Sequence, residues 1–311
     1  MSTDRIESLP HLPRRPDDGH KGTFGTVAII GGCAGMHKDD EFEPTMLGAP
    51  ALAAMGAIRS GCGLVKIAAP APIIEHTLTL APFATGYGLE TDHARSINAS
   101  HAAPVLDELV QTCSVIVAGM GMGSTHCVAQ IIVRLLNQEM VPVVIDADGL
   151  NAMSQLPEFD REIRASAVLT PHPGEARRLM QSLAIEGDPA GDESQRIDAC
   201  TRLAQRLGCV VVLKGKGTVV SDGHRVWVSE RGSPALAAAG TGDVLAGIIG
   251  SIIAQTRDDP SIDLLHAAAI GVQAHAIAGE RWAESHEGDG GLIASELTES
   301  LPNIITQMRS S

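Results

Sequence analysis

The sequence predicts a three-layer α/β/α fold with a mostly parallel central sheet and a small antiparallel hairpin. Three observations carry that expectation. Short β-branched runs alternate with Ala- and Leu-rich helical stretches along most of the chain, as in sheets covered on both faces. Several of these runs end in glycine or polar clusters. Two late runs flank an Asp-Gly turn, the mark of a hairpin.

Residues 1–22 are polar, with Pro10, Pro13 and Pro16, and read as an extended arm ahead of one domain spanning 23–311. Thr26-Val-Ala-Ile-Ile-Gly-Gly32 reads as a buried strand closed by glycines. The acidic piece 37–43 reads as an exposed loop. Met46 to Ser60 is an Ala-rich helix stopped by Gly61-Cys-Gly63, and 64–69 is the next strand. Further strands are expected at 114–118, 141–145, 167–170 and 210–213. Helices are expected at 102–111, 125–138, 174–183 and 194–207, with a short one after Asp146. Thr218 to Ser221, Asp222-Gly223 and Arg225 to Val228 form the hairpin, and helices follow near 242–256, 262–284 and 292–308.

Hydrophobic residues make up 44% of the 311 and aromatics 2%, so the core must be built from Ala, Val, Ile and Leu, and a bound purine would lie between aliphatic side chains. With 23 basic and 37 acidic residues the formal charge is −14, which opposes binding to nucleic acid or anionic lipid. Phosphates must then be held locally, by amides and single lysines. The six cysteines show no metal-binding spacing and read as reduced, mostly buried thiols of a cytoplasmic protein. No signal peptide or membrane-spanning stretch is expected.

The chain is organised around Gly240-Thr241-Gly242-Asp243, between a Gly/Ala-rich loop and the apolar run Val244 to Ala254. Glycines let successive N–H groups turn toward a phosphate, and the helix that follows adds the positive end of its dipole. Asp243 reads either as a helix cap or as a base beside a bound phosphate.

Ligands of open α/β sheets lie beyond the carboxyl ends of the strands, and five exits have a suitable character. Gly31-Gly32-Cys-Ala-Gly35, with Leu47-Gly-Ala49-Pro-Ala51 downstream, lacks GxGxxG spacing; close ligand approach and tight packing explain its small residues equally well. Gly119-Met-Gly121-Met-Gly123 leaves amides uncovered. Asp146-Ala-Asp148 places two carboxylates at one exit, where capping is the alternative. Thr170-Pro-His172-Pro-Gly-Glu175 projects a histidine from a loop stiffened by prolines. Lys214-Gly215-Lys216-Gly217-Thr218 is a basic loop without the Walker A pattern, and Lys214 is its better nucleotide contact.

Taken in order, these stretches, with Lys21-Gly-Thr-Phe-Gly25 and 48–63, resemble the ADP/ATP-dependent NAD(P)H-hydrate dehydratase family of the ribokinase-like superfamily. The resemblance runs from about residue 20 to 305. It implies repair of hydrated NADH or NADPH (NADHX, NADPHX): the ring hydroxyl of the S epimer is phosphorylated from ADP or ATP, and phosphate is then lost. It assigns Asp243 as the base and the amides of Gly240, Thr241 and Gly242 as the anion hole. Lys214 to Thr218 and Gly242 would hold the nucleotide, and Ala49, Gly121, His172 and Asp243 would contact the hydrate. Mg²⁺ would accompany the phosphates, and the likeness of His172 to Glu175 to the superfamily's Asn-x-x-Glu segment implies that Glu175 acts on it through water. No direct protein ligand to a metal is assigned. The resemblance also implies a homotetramer and, since no epimerase domain precedes residue 20, a separate NAD(P)HX epimerase as functional partner.

The chain departs from the family at Met120 and Met122, where Pro and Leu are common, and at Gly232-Ser233-Pro-Ala235-Leu-Ala-Ala238-Ala, where Gly-Asn-Pro-Gly-Met-Ala-Thr-Gly is frequent. The second departure bears on nucleotide preference. A kinase of a small alcohol or vitamin precursor and a non-catalytic nucleotide-binding regulator remain as alternatives; Asp243 counts against the latter.

Overall fold

A computed structural model describes residues 3–35, 37–38, 41–42, 44–93 and 95–309, and the side chains of 36–43 lie outside the described residues, including those of the acidic segment expected to be a loop. In chain order the strands are β1 (Asp4–Arg5), β2 (Thr26–Ile30), β3 (Cys33–Ala34), β4 (His37–Lys38), β5 (Glu41–Phe42), β6 (Thr45–Met46), β7 (Leu64–Pro70), β8 (Thr85–Leu89), β9 (Val115–Ala118), β10 (Val143–Ile145), β11 (Ala167–Leu169), β12 (Val210–Leu213), β13 (Val219–Ser221) and β14 (Arg225–Val228). The helices are α1 (Gly48–Arg59), α2 (Ala71–Leu80), α3 (Ala99–Thr112), α4 (His126–Leu136), α5 (Asp148–Ser154), α6 (Pro173–Ser182), α7 (Glu193–Leu207), α8 (Thr241–Thr256), α9 (Leu264–His286) and α10 (Ala294–Gln307). Among the described residues, no helix is long and apolar enough to cross a membrane.

Ten strands form one sheet in the order β1-β14-β13-β12-β11-β10-β9-β2-β7-β8. From β12 through β8 every neighbouring pair is parallel, whereas β12, β13 and β14 pair antiparallel, as the Asp222-Gly223 turn predicts. Alternate residues of a strand face opposite layers. Val27 and Ile29 of β2 therefore enter a core shared with α1, α8, α9 and α10, while Ala28 and Ile30 enter one shared with α3 to α7. The arm lies against the sheet: Asp4–Arg5 pairs in parallel with β14, and buried Leu12 bridges to Arg309.

The sequence reading passed over α2 and β8. Two glycines weaken the strand signal of Thr85–Leu89, and Gly86 has a packing reason. A Cβ at Gly86 would lie 2.6 Å from Leu78 of α2. Pro70 and Pro72 bracket the start of that helix, where a missing N–H costs nothing.

Helix α8 carries the central motif, and its depth is set by glycines. A Cβ at Gly247 would stand 1.9 Å from the Ala53 carbonyl of α1, and one at Gly56 would stand 2.4 Å from the Val244 carbonyl. Backbone meets backbone here, so no rotamer change can relieve an added methyl. Gly247→Ala should cost about 1–3 kcal/mol in denaturant unfolding, whereas Gly290→Ala, with open space around it, should be close to neutral; equal effects would refute this packing argument.

Candidate active site

The parallel strands release the chain at one edge of the sheet, and α8 begins there. Gly240 precedes the helix with φ of 86°, in the left-handed region that favours glycine. A Cβ on it would lie 2.5 Å from Leu52 of α1. The Thr241 amide turns back to the Ala238 carbonyl (3.4 Å), and its Oγ1 donates to the carbonyls of Leu236 (2.8 Å) and Ala238 (2.9 Å). Of the three amides assigned to the anion hole from sequence, that of Thr241 is thus engaged internally. Among the described residues, the amides of Gly242 and Asp243 have no recorded acceptor, as expected of a first helical turn.

Gly242 faces the lysine loop. A Cβ there would lie 3.4 Å from Lys214 Nζ and 3.7 Å from Asp146 Oδ2. Lys214 Nζ donates to Asp146 Oδ1 at 2.6 Å, with 18% and 2% of the two side chains exposed. Three strand exits and the helix start therefore meet at one point, because the Lys214 amide also donates to the Pro171 carbonyl (2.9 Å) beside His172.

Sequence left capping and catalysis open at the third exit and a structural or a functional histidine open at the fourth; the structure shows a cap at the fourth only, since no side chain caps the start of α5. His172 Nδ1 accepts from the amides of Gly174 (2.9 Å) and Glu175 (3.3 Å), while Glu175 Oε2 accepts from the His172 amide (2.8 Å), a reciprocal capping box at the start of α6. An accepting Nδ1 places the proton of the neutral ring on Nε2, which stands 3.4 Å from Glu175 Oε1. Asp148 accepts from the Gly123 amide (2.9 Å) and so pins the glycine loop. Asp146 is left to pair with lysine. Between the two aspartates, Ala147 takes φ of 51°, a strained value for a residue with a side chain.

Ala49 and Gly121 meet on the other side of α8: a Cβ at Gly121 would lie 3.3 Å from that of Ala49, and φ there is 63°. His172 stands on the Lys214 side. The two groups of sequence-assigned residues thus flank the helix start, one facing Leu52 and α1, the other facing Lys214. Within the lysine loop, Lys216 is exposed, and Thr218 Oγ1 donates to the Gly215 carbonyl (2.9 Å). Gly215 and Gly217 both take positive φ, 138° and 63°.

Sequence reasoning missed what holds that loop. The buried Arg196 guanidinium donates to the carbonyls of Pro189, Leu213, Lys214 and Gly217 at 3.1–3.4 Å. A signal was present: Arg196 shares the buried stripe of α7 with Ala199, Cys200, Leu203 and Leu207, where a charge needs a partner.

Burial raises the Asp243 carboxyl to about 7; Asp146 and Asp148 push the same way, and Lys214 restrains the rise. Burial likewise raises Glu175 against the pull of Lys214. Burial and then Lys214 lower His172. For Lys214 burial works downward, but Asp146, Glu175 and Asp243 outweigh it and keep the ammonium charged. The ensemble offers a base poised near neutral pH, free amides at a helix start and one fixed cation. It suits stabilisation of a transferring anionic group beside a proton acceptor. A groove of about 730 Å³ between α3 and α4 contains none of these residues, so surface shape alone would point elsewhere. Lys214→Met leaves Asp146 buried without its partner and should destabilise the fold by about 3–5 kcal/mol; adding Asp146→Asn should recover part of that loss in thermal unfolding.

A family model described as NAD(P)H-hydrate dehydratase matches residues 28–303. The ADP-dependent (S)-NAD(P)H-hydrate dehydratase of Neisseria meningitidis is 35% identical over 307 residues, covering 96% of this chain and 92% of that protein. The bifunctional NAD(P)H-hydrate repair enzyme of Coxiella burnetii is 35% identical over 290 residues, 93% of this chain; the matched stretch is 52% of that enzyme, so the chain spans about half its length. Among solved structures, the ADP/ATP-dependent NAD(P)H-hydrate dehydratase of Bacillus subtilis, co-crystallised with ATP/Mg²⁺, superposes with a TM-score of 0.74 at 27% identity, covering 98% of this chain and 100% of that one. A ribokinase-like protein of Enterococcus faecalis, at 24% identity and a TM-score of 0.73, shares the fold. The match over 28–303 takes in all five strand exits and the whole of α8, and the chain belongs to the NAD(P)H-hydrate dehydratase family.

Proposed function

We propose that the protein restores NADH and NADPH from their hydrates at the expense of ADP or ATP. The observation that carries this reading is Asp243, a carboxyl held near pH 7 in the first turn of α8 beside uncovered amides and Lys214.

Hydroxide is a poor leaving group and phosphate a good one, which gives the nucleotide its role. Asp243 takes the proton of the C6 hydroxyl as that oxygen bonds to the terminal phosphorus; the bond from phosphorus to the bridging oxygen breaks, releasing AMP from ADP or ADP from ATP. The Gly242 amide and Lys214 offset the charge on the phosphoryl oxygens. The ring nitrogen's lone pair then expels phosphate from C6, and loss of a C5 proton restores the dihydropyridine. Ala49 and Gly121, which pack against each other and near Met46 on the α1 side, would contact the hydrate, a role that rests on the family resemblance.

Among the described residues no three or more His, Cys, Asp or Glu side chains gather into a metal cage. A Mg²⁺ arriving on the nucleotide phosphates would keep its water, and Asp146 and Glu175, the carboxylates gathered about Lys214, would hold that water. When bound, the ion would neutralise phosphate charge. Assembly as a homotetramer, a cytoplasmic setting and cooperation with an epimerase belong to the same proposal and rest on the family resemblance.

The test follows absorbance of the reduced nicotinamide while protein, Mg²⁺ and either ADP or ATP are added to NADHX. Recovery should require a nucleotide, and Asp243→Asn should slow it by roughly 10²–10⁴-fold. The carboxyl must be unprotonated to accept a proton, so kcat/KM should rise with pH and level off above about 7. Recovery without nucleotide, or an undiminished Asp243→Asn enzyme, would refute the reading.

A further inference from the structure

His275 lies in the middle of α9 with 8% of its surface exposed, on a stretch whose neighbouring Ala274, Ala276 and Ala278 are also buried. A polar side chain in such surroundings requires a partner. Its partner is the carbonyl of Thr241, 2.9 Å from Nε2. A carbonyl oxygen only accepts, so Nε2 carries the proton and donates.

The Thr241 carbonyl and the Gly242 N–H belong to one peptide unit. A hydrogen bond to the oxygen fixes the plane of that unit and draws electron density toward the oxygen, which makes the N–H a stronger donor. Within an α-helix this carbonyl receives the amide four residues on, and its second lone pair is open to a side chain. Helix α9 anchors the same turn at a second point, since Leu236, whose carbonyl accepts from Thr241 Oγ1, packs on Gly279, where a Cβ would lie 2.5 Å from its Cγ.

We propose that His275 is a positioning residue that orients and polarises the Thr241–Gly242 peptide, so that the Gly242 N–H meets the transferring phosphoryl group already aimed. The role rests on the functional reading above, in which that amide serves the phosphoryl group. Burial lowers the imidazole to about 4, so the ring stays neutral, with its proton on Nε2, across the working pH range. A neutral donor adds no charge that would compete with Lys214 for the phosphates.

Three substitutions separate this role from simple packing. His275→Phe keeps the ring and loses the donor. In His275→Gln the side-chain amide nitrogen takes the place of Nε2, and in His275→Asn it stops one bond short. The Phe and Asn variants should lose about 10²-fold in kcat, with the KM for nucleotide changed less than about 3-fold, and Gln should restore kcat to within about 10-fold of wild type. In the nucleotide-free protein, the Gly242 amide proton should move upfield in the Phe and Asn variants and return toward its wild-type position in Gln. Wild-type kcat and an unmoved Gly242 resonance in the Phe variant would overturn the proposal, as would equal losses in Gln and Asn. Should Phe not fold, the Gln and Asn pair decides alone. The spectrum is read without substrate, so an inactive wild type would count against the functional reading only and leave the Gly242 shift to decide the role of His275.

Discussion

One ammonium group faces three buried or half-buried carboxylates at the edge of this sheet, and the imbalance sets the chemistry of the site. Lys214 gives its short hydrogen bond to Asp146, the least exposed of the three. Asp243 and Glu175 feel the same cation at longer range, and it does not offset their burial. Both therefore hold protons more tightly than an exposed carboxyl would, in the case of Asp243 up to about 7. Extra lysines would bind phosphate better and would also drive Asp243 back toward an ordinary acid. A single lysine, supplemented by uncharged amides, avoids that conflict.

The fold serves this arrangement by bringing distant parts of the chain to one point with little freedom left. Backbone-to-backbone contact at Gly56 and Gly247 seats α8 against α1. Arg196 gathers four carbonyls and fixes the path of the lysine loop. Opposite, Asp148 holds the glycine loop through the Gly123 amide, and α9 supports the α8 start through Leu236 and His275. The contacts of Arg196, Asp148 and His275 also give partners to polar atoms, so there positioning and hydrogen-bond satisfaction come from the same contacts.

Much of this was legible in the sequence because parallel sheets impose strong patterns. Runs such as Val210 to Leu213 are apolar throughout and end in chemistry-bearing loops, so both the strand and the site beyond it can be read locally. Thr85–Leu89 escaped notice because two glycines dilute it, and one of them, Gly86, answers to α2, a partner no local window shows. The same limit governed the site. Asp243, Lys214 and Asp146 stand in recognisable motifs, whereas His275 sits in an Ala-rich helix and acts through a contact 34 residues away. His172 illustrates a third case: its loop marks it plainly, yet sequence alone does not reveal that Nδ1 is committed to capping α6 and only Nε2 is left for anything else.

The central claim is that Asp243 is a base tuned by burial and by a lysine shared with Asp146. Its most direct test is the titration of the Asp243 side-chain carboxyl carbon by NMR in the nucleotide-free protein, repeated in Asp146→Asn. The account predicts a midpoint near 7 in the wild type, and a lower one once the neighbouring carboxylate is neutralised and Lys214 is released toward Asp243. A midpoint in the ordinary aspartate range of about 4, unmoved by that substitution, would contradict it.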